Sequence, residues 1–368
     1  MKILYVITGL AGGGAEKVVI DLADQMQAHG HQVKIAYLKG QPILQPQNPE
    51  IGLHYLGLEN PWRLWSAYRT YQQLLQSYAP DVVHAHMVHA NIFSRLARIL
   101  HKVPKLICTA HSTNEGGALR MLAYRLTDHW ADINSHVSQR ATQLFIQRKA
   151  FSTQAITVYN GIDLSAFYKQ RFRPEQLTEF LPSAIIAARQ QDPACKLILA
   201  VGRLNVQKDY PNLLYAIQQL KSLHSTSFQV MIAGEGEQRA AIEQLIMDLQ
   251  LQDDVILLGR RQDVAALMSI ADVFVLSSRE EGFALVVAEA MACECYVVAT
   301  DCGGVKEVMG DTGTLVAIED STRLAQAIAD VLREDPALLS ASRAAAKQRV
   351  HEQFSVQLAV QQWLRIYA

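Results

Sequence analysis

Val273-Phe-Val-Leu-Ser-Ser-Arg-Glu-Glu-Gly-Phe-Ala-Leu-Val-Val-Ala-Glu-Ala-Met-Ala292 governs how the whole chain is read. Its first four residues are apolar and mostly β-branched or aromatic, with no polar alternation, which describes a strand covered on both faces. A polar loop follows over residues 277–282, and residues 284–292 carry a helical run. Residues 296–300 read as the next strand. Strand, loop, helix and strand at this spacing make a βαβ unit, and hence a parallel sheet. The rhythm continues upstream through strands at 196–201, 229–233 and 255–258, with helices near 211–224, 237–249 and 264–269. Downstream it ends in a helix near 322–333.

The first half repeats the pattern independently. Strands are expected at 3–8, 33–38, 81–86, 105–111 and 155–159, with helices at 15–29, 61–77 and 88–101. Residues 160–195 break the rhythm with Asn160-Gly161, Pro174, Pro182 and Pro193. The expectation is an α/β chain of two Rossmann-like domains facing a cleft. The first domain is 1–165, the connecting region is 166–195 and the second domain is 196–353. An amphipathic helix over about 354–368 returns to the first.

Of 368 residues, 50% are hydrophobic and 19% charged, a globular composition that excludes disorder, coiled coil and collagen. No apolar run approaches the ~20 residues a spanning helix needs. The first strand is too short for a signal peptide and runs into a glycine loop, so a cytoplasmic protein is expected. Five scattered cysteines make no disulfide framework. Residues 1–180 hold 18 Lys/Arg against 12 Asp/Glu, and residues 181–368 hold 16 against 23. So uneven a split suggests different partners for the two halves, an anionic surface or acceptor for the first; simple solvation also accounts for it.

In an open α/β sheet, ligands bind at the carboxyl ends of the strands. After the strand at 196–201 come Arg203 and, five residues later, Lys208. A guanidinium fork and an ammonium point charge suit a diphosphate, although such a pair also serves as a solvated loop. After 273–276 come Glu281, then Gly282, Phe283, Ala284, Leu285 and Val286, then Glu289. Glu281 is expected in the turn and Glu289 about two turns into the helix. The first amides of that helix form a ready anion site. Glu289, among apolar neighbours, needs either a pair of sugar hydroxyls or a structural cation. Gly234, Arg260, Arg261 and Gly303 follow the other strands of this half.

In the first half, Gly12, Gly13 and Gly14 precede Glu16, either to admit an anion or as a tight turn. The spacing departs from G-x-G-x-x-G. His111 ends a strand, where it serves structure or a ligand. His84 and His86 share one strand face without accompanying carboxylates, so no metal site is expected. Neither a Walker loop nor a Ser-His-Asp order is present.

These residues resemble the retaining glycosyltransferases of family 4, which have the GT-B fold. The resemblance spans nearly the whole chain. It rests on Gly13-Gly14-Ala15-Glu16, Asp81-x-x-His84-x-His86, Tyr159-Asn160-Gly161-Ile162-Asp163, Gly202-Arg203-x4-Lys208-Asp209, Gly234-x-Gly236 and Glu281-Gly282-Phe283-x5-Glu289. It implies that Arg203 and Lys208 bind the donor diphosphate and that Glu289 holds the ribose. Glu281 would contact the transferred sugar, and the amides after Gly282 its hydroxyls and the phosphate. His111 would reach the sugar near the reacting carbon. Gly13, Gly14 and Glu16 would approach the phosphates, and the backbone at Arg260 and Arg261 would read the base. Ala284 stands where relatives often carry Gly or Pro.

The resemblance also implies a nucleotide diphosphate sugar as donor, UDP more commonly than GDP, with no metal or other cofactor. The acceptor would be a glycan or a polyprenyl-diphosphate-linked chain, and nucleic acid would not be a partner. Basic stretches mixed with aromatic or apolar residues, 61–69 and 119–125, suit either the inner face of an anionic plasma membrane or ordinary packing. An epimerase or hydrolase of the same fold, and a non-catalytic nucleotide-sugar-binding subunit, are the alternatives.

Overall fold

The computed structural model describes residues 1–113, 115–223 and 227–368, so the expected helix end at His224 lies outside the described residues. The chain divides into two units, Met1–Gly161 with Val356–Ala368, and Ile162–Ser355.

In the first unit the elements run β1 (Lys2–Ile7), α1 (Gly14–Ala28), β2 (Gln32–Tyr37), β3 (Gly52–Tyr55), α2 (Leu64–Tyr78), β4 (Val82–His86), α3 (Val88–Leu100), β5 (Lys105–Ala110), α4 (Ala118–Thr127), β6 (Ile133–His136), α5 (Gln139–Gln147) and β7 (Ile156–Thr157). The sheet order is β3-β2-β1-β4-β5-β6-β7, and every pairing is parallel. Ile3 to Ile7 of β1 are wholly buried, as a central strand with helices on both faces requires. On α1, Val19, Ile20, Leu22, Ala23 and Met26 recur at helical spacing and face that sheet.

The second unit runs α6 (Ser183–Gln191), β8 (Lys196–Val201), α7 (Tyr210–Leu223), β9 (Phe228–Ala233), α8 (Arg239–Asp248), β10 (Val255–Gly259), α9 (Val264–Ile270), β11 (Val273–Leu276), α10 (Leu285–Ala292), β12 (Tyr296–Thr300), α11 (Val305–Met309), β13 (Thr314–Val316), α12 (Ser321–Arg333) and α13 (Pro336–Gln353). Its parallel sheet has the order β10-β9-β8-β11-β12-β13. The last helix, α14 (Val356–Tyr367), belongs to the first unit. Val356, Val360, Trp363 and Tyr367 join the core of β1 and α1. Burying side chains of this size stabilises by about 1.5–3 kcal/mol each.

Two differences from the expected layout have local causes. Residues 166–195 are not a free-standing connection. Ile162 bridges Ser355 and donates its N–H to the Phe354 carbonyl at 2.7 Å, so the chain joins the second unit before residue 165. Lys169 and Gln170 then bond Ser269 at 2.7 and 3.0 Å, and α6 follows. Second, α10 starts at Leu285, so Glu289 stands just over one turn inside it rather than two. The helix begins at Leu285 because Ala284, left-handed at φ 62°, cannot be part of it, and the four residues from that start to Glu289 make just over one turn.

Candidate active site

Three loops of the second unit, those leaving β8, β11 and β12, converge on Glu281. Lys208 Nζ reaches Glu281 Oε1 at 2.6 Å, and Ser278 Oγ donates to the same oxygen at 2.7 Å. The lysine and glutamate side chains keep only 18% and 12% of their exposure. Asn205 shapes the loop before Lys208 by accepting the Lys208 N–H at 3.2 Å on its side chain. The Lys208 stem crosses Gly202, where a Cβ would stand 3.0 Å from Lys208 Cε. Thr300 Oγ1 donates to the Ser278 carbonyl at 2.6 Å and so ties the β12 end to the β11 loop.

Glycine has a more specific reason here than the sequence suggests. A Cβ on Gly303, itself left-handed at φ 50°, would overlap the Glu281 carbonyl, and one on Gly234 would overlap the Gly202 carbonyl. Both glycines let one loop lie directly on another and thereby set Glu281 and Lys208.

The remaining expected residues fall into place unevenly. Arg203 does not join Lys208 and Glu281. It pairs with Glu237 at 3.2 Å, both side chains being more than half exposed (66% and 54%). Arg261 is turned inward, donating to Asp263 and, at 2.9 Å, to the Phe180 carbonyl, so its side chain clasps a loop; Arg260 is exposed. Phe283 is buried with its ring on Phe354, centroids 5.3 Å apart. Gly282 and Glu289 are buried, and Leu285 and Val286 are half-buried at the start of α10. The Val287 N–H is taken by the Ala284 carbonyl at 3.0 Å, which leaves the two amides before it at the open end of the helix.

In the first unit the ends of β4 and β5 gather imidazoles and hydroxyls. His84 uses both nitrogens, Nδ1 to the Tyr367 hydroxyl and Nε2 to Thr109 Oγ1, each at 2.7 Å. Thr109 Oγ1 also meets Ser135 Oγ at 2.7 Å, and the hydroxyls of Tyr5 and Tyr367 lie 3.2 Å apart. His86 Nδ1 meets His111 Nε2 at 2.9 Å, which leaves Nδ1 as the His111 nitrogen not engaged by His86. Burial pulls all these imidazoles down, His111 to about 3, His136 to about 4, and His84 and His86 well below their ordinary value. They are therefore neutral at pH 7. No group of three or more side chains suited to a metal occurs among the described residues.

Gly13, extended at φ −93°, precedes α1, and the Glu16 carboxylate folds back over it, at the positive end of the helix. Glu115 escaped the sequence reading. It is buried, and its Oε1 accepts the backbone N–H groups of His111 and Ser112 at 3.0 and 3.3 Å, so it holds the His111 main chain. Burial raises its pKa, while those N–H groups and that of Val88 lower it. The signal available was an acid just past a strand-ending histidine and just before Gly116-Gly117, which suits a loop cap.

Residues 12–166 match the model of Glycosyltransferase Family 4, and residues 184–349 match that of Glycosyl transferases group 1. The chain is 25% identical to N-acetyl-alpha-D-glucosaminyl L-malate synthase of Bacillus anthracis, over 96% of this chain and 93% of that protein. It is 26% identical to a Campylobacter jejuni N-acetylgalactosamine-N,N'-diacetylbacillosaminyl-diphospho-undecaprenol 4-alpha-N-acetylgalactosaminyltransferase, over 95% and 94%. Among solved structures, Anabaena Alr3699/HepE in complex with UDP-glucose shares the fold with a TM-score of 0.82 at 23% identity, covering 100% of this chain and 99% of its own.

Proposed function

Since the chain belongs to the glycosyltransferases of family 4, we propose that it moves a hexose or N-acetylhexosamine from a UDP-sugar to a glycan or polyprenyl-diphosphate-linked acceptor. The transfer retains the anomeric configuration and serves cell-surface polysaccharide or lipid-linked oligosaccharide assembly. The observation that carries this reading is the Lys208–Glu281 pair beside the open start of α10. UDP is supported by the Anabaena neighbour, solved with UDP-glucose, and a lipid-linked acceptor by the name of the Campylobacter relative.

Charge builds on the diphosphate as the sugar leaves. Lys208, already desolvated, offsets it as a fixed positive charge, and the amides of Leu285 and Val286 add donors that need no reorganisation. Arg203, held only by an exposed pair with Glu237, is free to turn to the diphosphate at little cost. Glu281 contacts the transferred sugar, Glu289 the ribose, and the backbone at Arg260 and Arg261 the base. In the first unit, His111, Gly13, Gly14 and Glu16 carry the roles the family gives them. No residue is placed as a nucleophile, so the departing phosphate oxygen takes the acceptor proton on the same face. The diphosphate charge is met by protein groups, and turnover therefore persists in EDTA.

The test is a donor panel screened by thermal shift, then kinetics and product mapping with the best donor. Lys208→Ala should lower kcat/KM by about 10²-fold or more. The product of a UDP-α-sugar should be the α-anomer by NMR. Wild-type turnover of every donor by both Lys208→Ala and Arg203→Ala would sink the reading.

The acceptor side includes contact with an anionic membrane. Trp62 is 94% and Leu119 83% exposed, and Trp65, Leu122 and Leu126 stand out beside Arg63, Arg69, Arg120 and Arg125. The first unit holds 16 Lys/Arg against 9 Asp/Glu. No helix of the described residues is long and apolar enough to cross a bilayer, so this contact is peripheral. Flotation with anionic but not neutral liposomes is expected; absence of both removes the membrane claim.

A further inference from the structure

Lys208 owes its place to groups behind it. The next residue, Asp209, has a left-handed backbone (φ 47°), which favours glycine, yet it carries a carboxylate that is only 2% exposed. A buried carboxylate requires a partner, and Arg279 supplies one. Arg279 Nε donates to Asp209 Oδ2 at 2.8 Å and Nη2 to Oδ1 at 3.1 Å, a two-pronged grip. The third nitrogen, Nη1, lies 3.0 Å from Glu319 Oε1, on another left-handed residue (φ 57°). The backbone continues the pattern. Arg279 N–H donates to the Gln207 carbonyl at 2.8 Å, and Ser277 Oγ donates to the Lys208 carbonyl at 2.9 Å. Residues 207, 208 and 209 are thus each held by residue 277 or 279, and one guanidinium joins the loops that leave β8, β11 and β13.

We infer that Arg279 is a positioning residue for Lys208: by clamping Asp209 it fixes the loop that aims the ammonium at Glu281 and at the donor diphosphate. The inference rests on the role proposed above for Lys208. It gives Arg279 a task without contact with the donor, and it accounts for an aspartate where the backbone suits glycine.

Losing Arg279 alone strands the Asp209 carboxylate in the interior, and the loop must shift to hydrate it, carrying Lys208 away. Losing Asp209 to glycine removes the carboxylate and suits the left-handed backbone. The two substitutions should therefore be coupled. UDP affinity by calorimetry and donor KM and kcat are measured for the full chain and for Arg279→Ala, Asp209→Gly, the double variant, Arg279→Lys and Lys208→Ala, with melting temperatures alongside. Arg279→Ala and Asp209→Gly should each weaken UDP binding and raise donor KM by about tenfold or more, and the double variant should be no worse than either alone, since both remove the same grip. Arg279→Lys, which keeps the charge but not the fork, should fall between.

Wild-type affinity in Arg279→Ala beside an impaired Lys208→Ala overturns the clamp alone. A double variant impaired by the product of the two single losses also overturns it, because Arg279 then acts otherwise than through Asp209, and so does wild-type affinity in Asp209→Gly. Wild-type affinity in Lys208→Ala overturns the role of Lys208 and the clamp's purpose with it. Should Arg279→Ala be too unstable to assay, the double variant decides: recovered melting temperature with UDP affinity still lost supports the clamp, and recovery of both overturns it.

Discussion

At the carboxyl edge of β4 and β5 the first unit gathers neutral imidazoles and hydroxyls, whereas at the edge of β8 and β11 the second gathers full charges. His84, His86, Thr109, Ser135 and Tyr367 are joined there by 2.7 to 2.9 Å hydrogen bonds with His111 and one another. The second unit instead sets Lys208 on Glu281 and Arg279 on Asp209. Both units are parallel sheets with helices on their faces, so the architecture does not dictate this difference. What differs is the work left to the backbone. The neutral network is fixed by side chains bonding side chains, and the charged one by side chains together with glycine loops lying against each other. The first arrangement is therefore vulnerable to protons, and the second to added atoms.

Acid should break the comparison most strongly. His84, His86, His111 and His136 have folded-state pKa values below that of the unfolded chain, because burial disfavours the charged ring. The unfolded state then binds more protons below about pH 6.5, so stability is fully present above that pH and is lost as pH falls, by up to about 1.4 kcal/mol per pH unit for each group. For His111 and His136 the loss continues down to about 3 and about 4. All four tryptophans, Trp62, Trp65, Trp130 and Trp363, lie in the first unit, so their fluorescence reports it selectively. Denaturation followed by tryptophan should weaken between pH 7 and pH 5 more than exchange-protected amides of β8, β9 and β11. Equal slopes in both units would contradict the assignment.

An added methyl group tests the other side. Gly303→Ala places a Cβ on the Glu281 carbonyl at a left-handed backbone. It should cost about 1–3 kcal/mol and weaken UDP binding, whereas Gly30→Ala, left-handed in open space, should cost only about 1 kcal/mol and leave UDP binding alone. Melting curves and calorimetry separate the two. The smallest effect is expected from Arg203→Ala. Its ion pair is exposed, so stability should change by less than about 0.5 kcal/mol even as donor turnover falls. A large drop in melting temperature would mean that Arg203 is structural.

Much of the fold was legible because buried parallel strands are written as unbroken apolar runs, as in 196–201 and 273–276. β6 was not, since Asn134, Ser135 and His136 interrupt it. Their polar groups are satisfied by Arg95, Thr109 and the Ser112 carbonyl, partners that exist only in the folded chain. β3, a half-exposed edge strand, was silent for want of apolar residues. At the candidate site, the turn carrying Glu281 and the loop carrying Lys208 could be placed from strand ends alone, but not the pairing of the two side chains. The inward turn of Arg261 could not, because it depends on a carbonyl 81 residues away, whereas the Glu115 cap is local, on amides three and four residues back, and was open to a reading of the loop. The grip of Arg279 was as hidden as the turn of Arg261, its partner lying 70 residues away.

The chain leaves the first unit after Gly161 and re-enters it at Val356, and Ile162 is hydrogen-bonded beside Phe354 and Ser355 at that point. The second unit is thus an insertion whose two ends are already spliced together. Its gene segment can be lifted out at 162 and 355 without cutting a strand of either sheet. The first unit can be closed across the gap by a linker of a few residues, which makes the two halves separable parts for swapping among relatives.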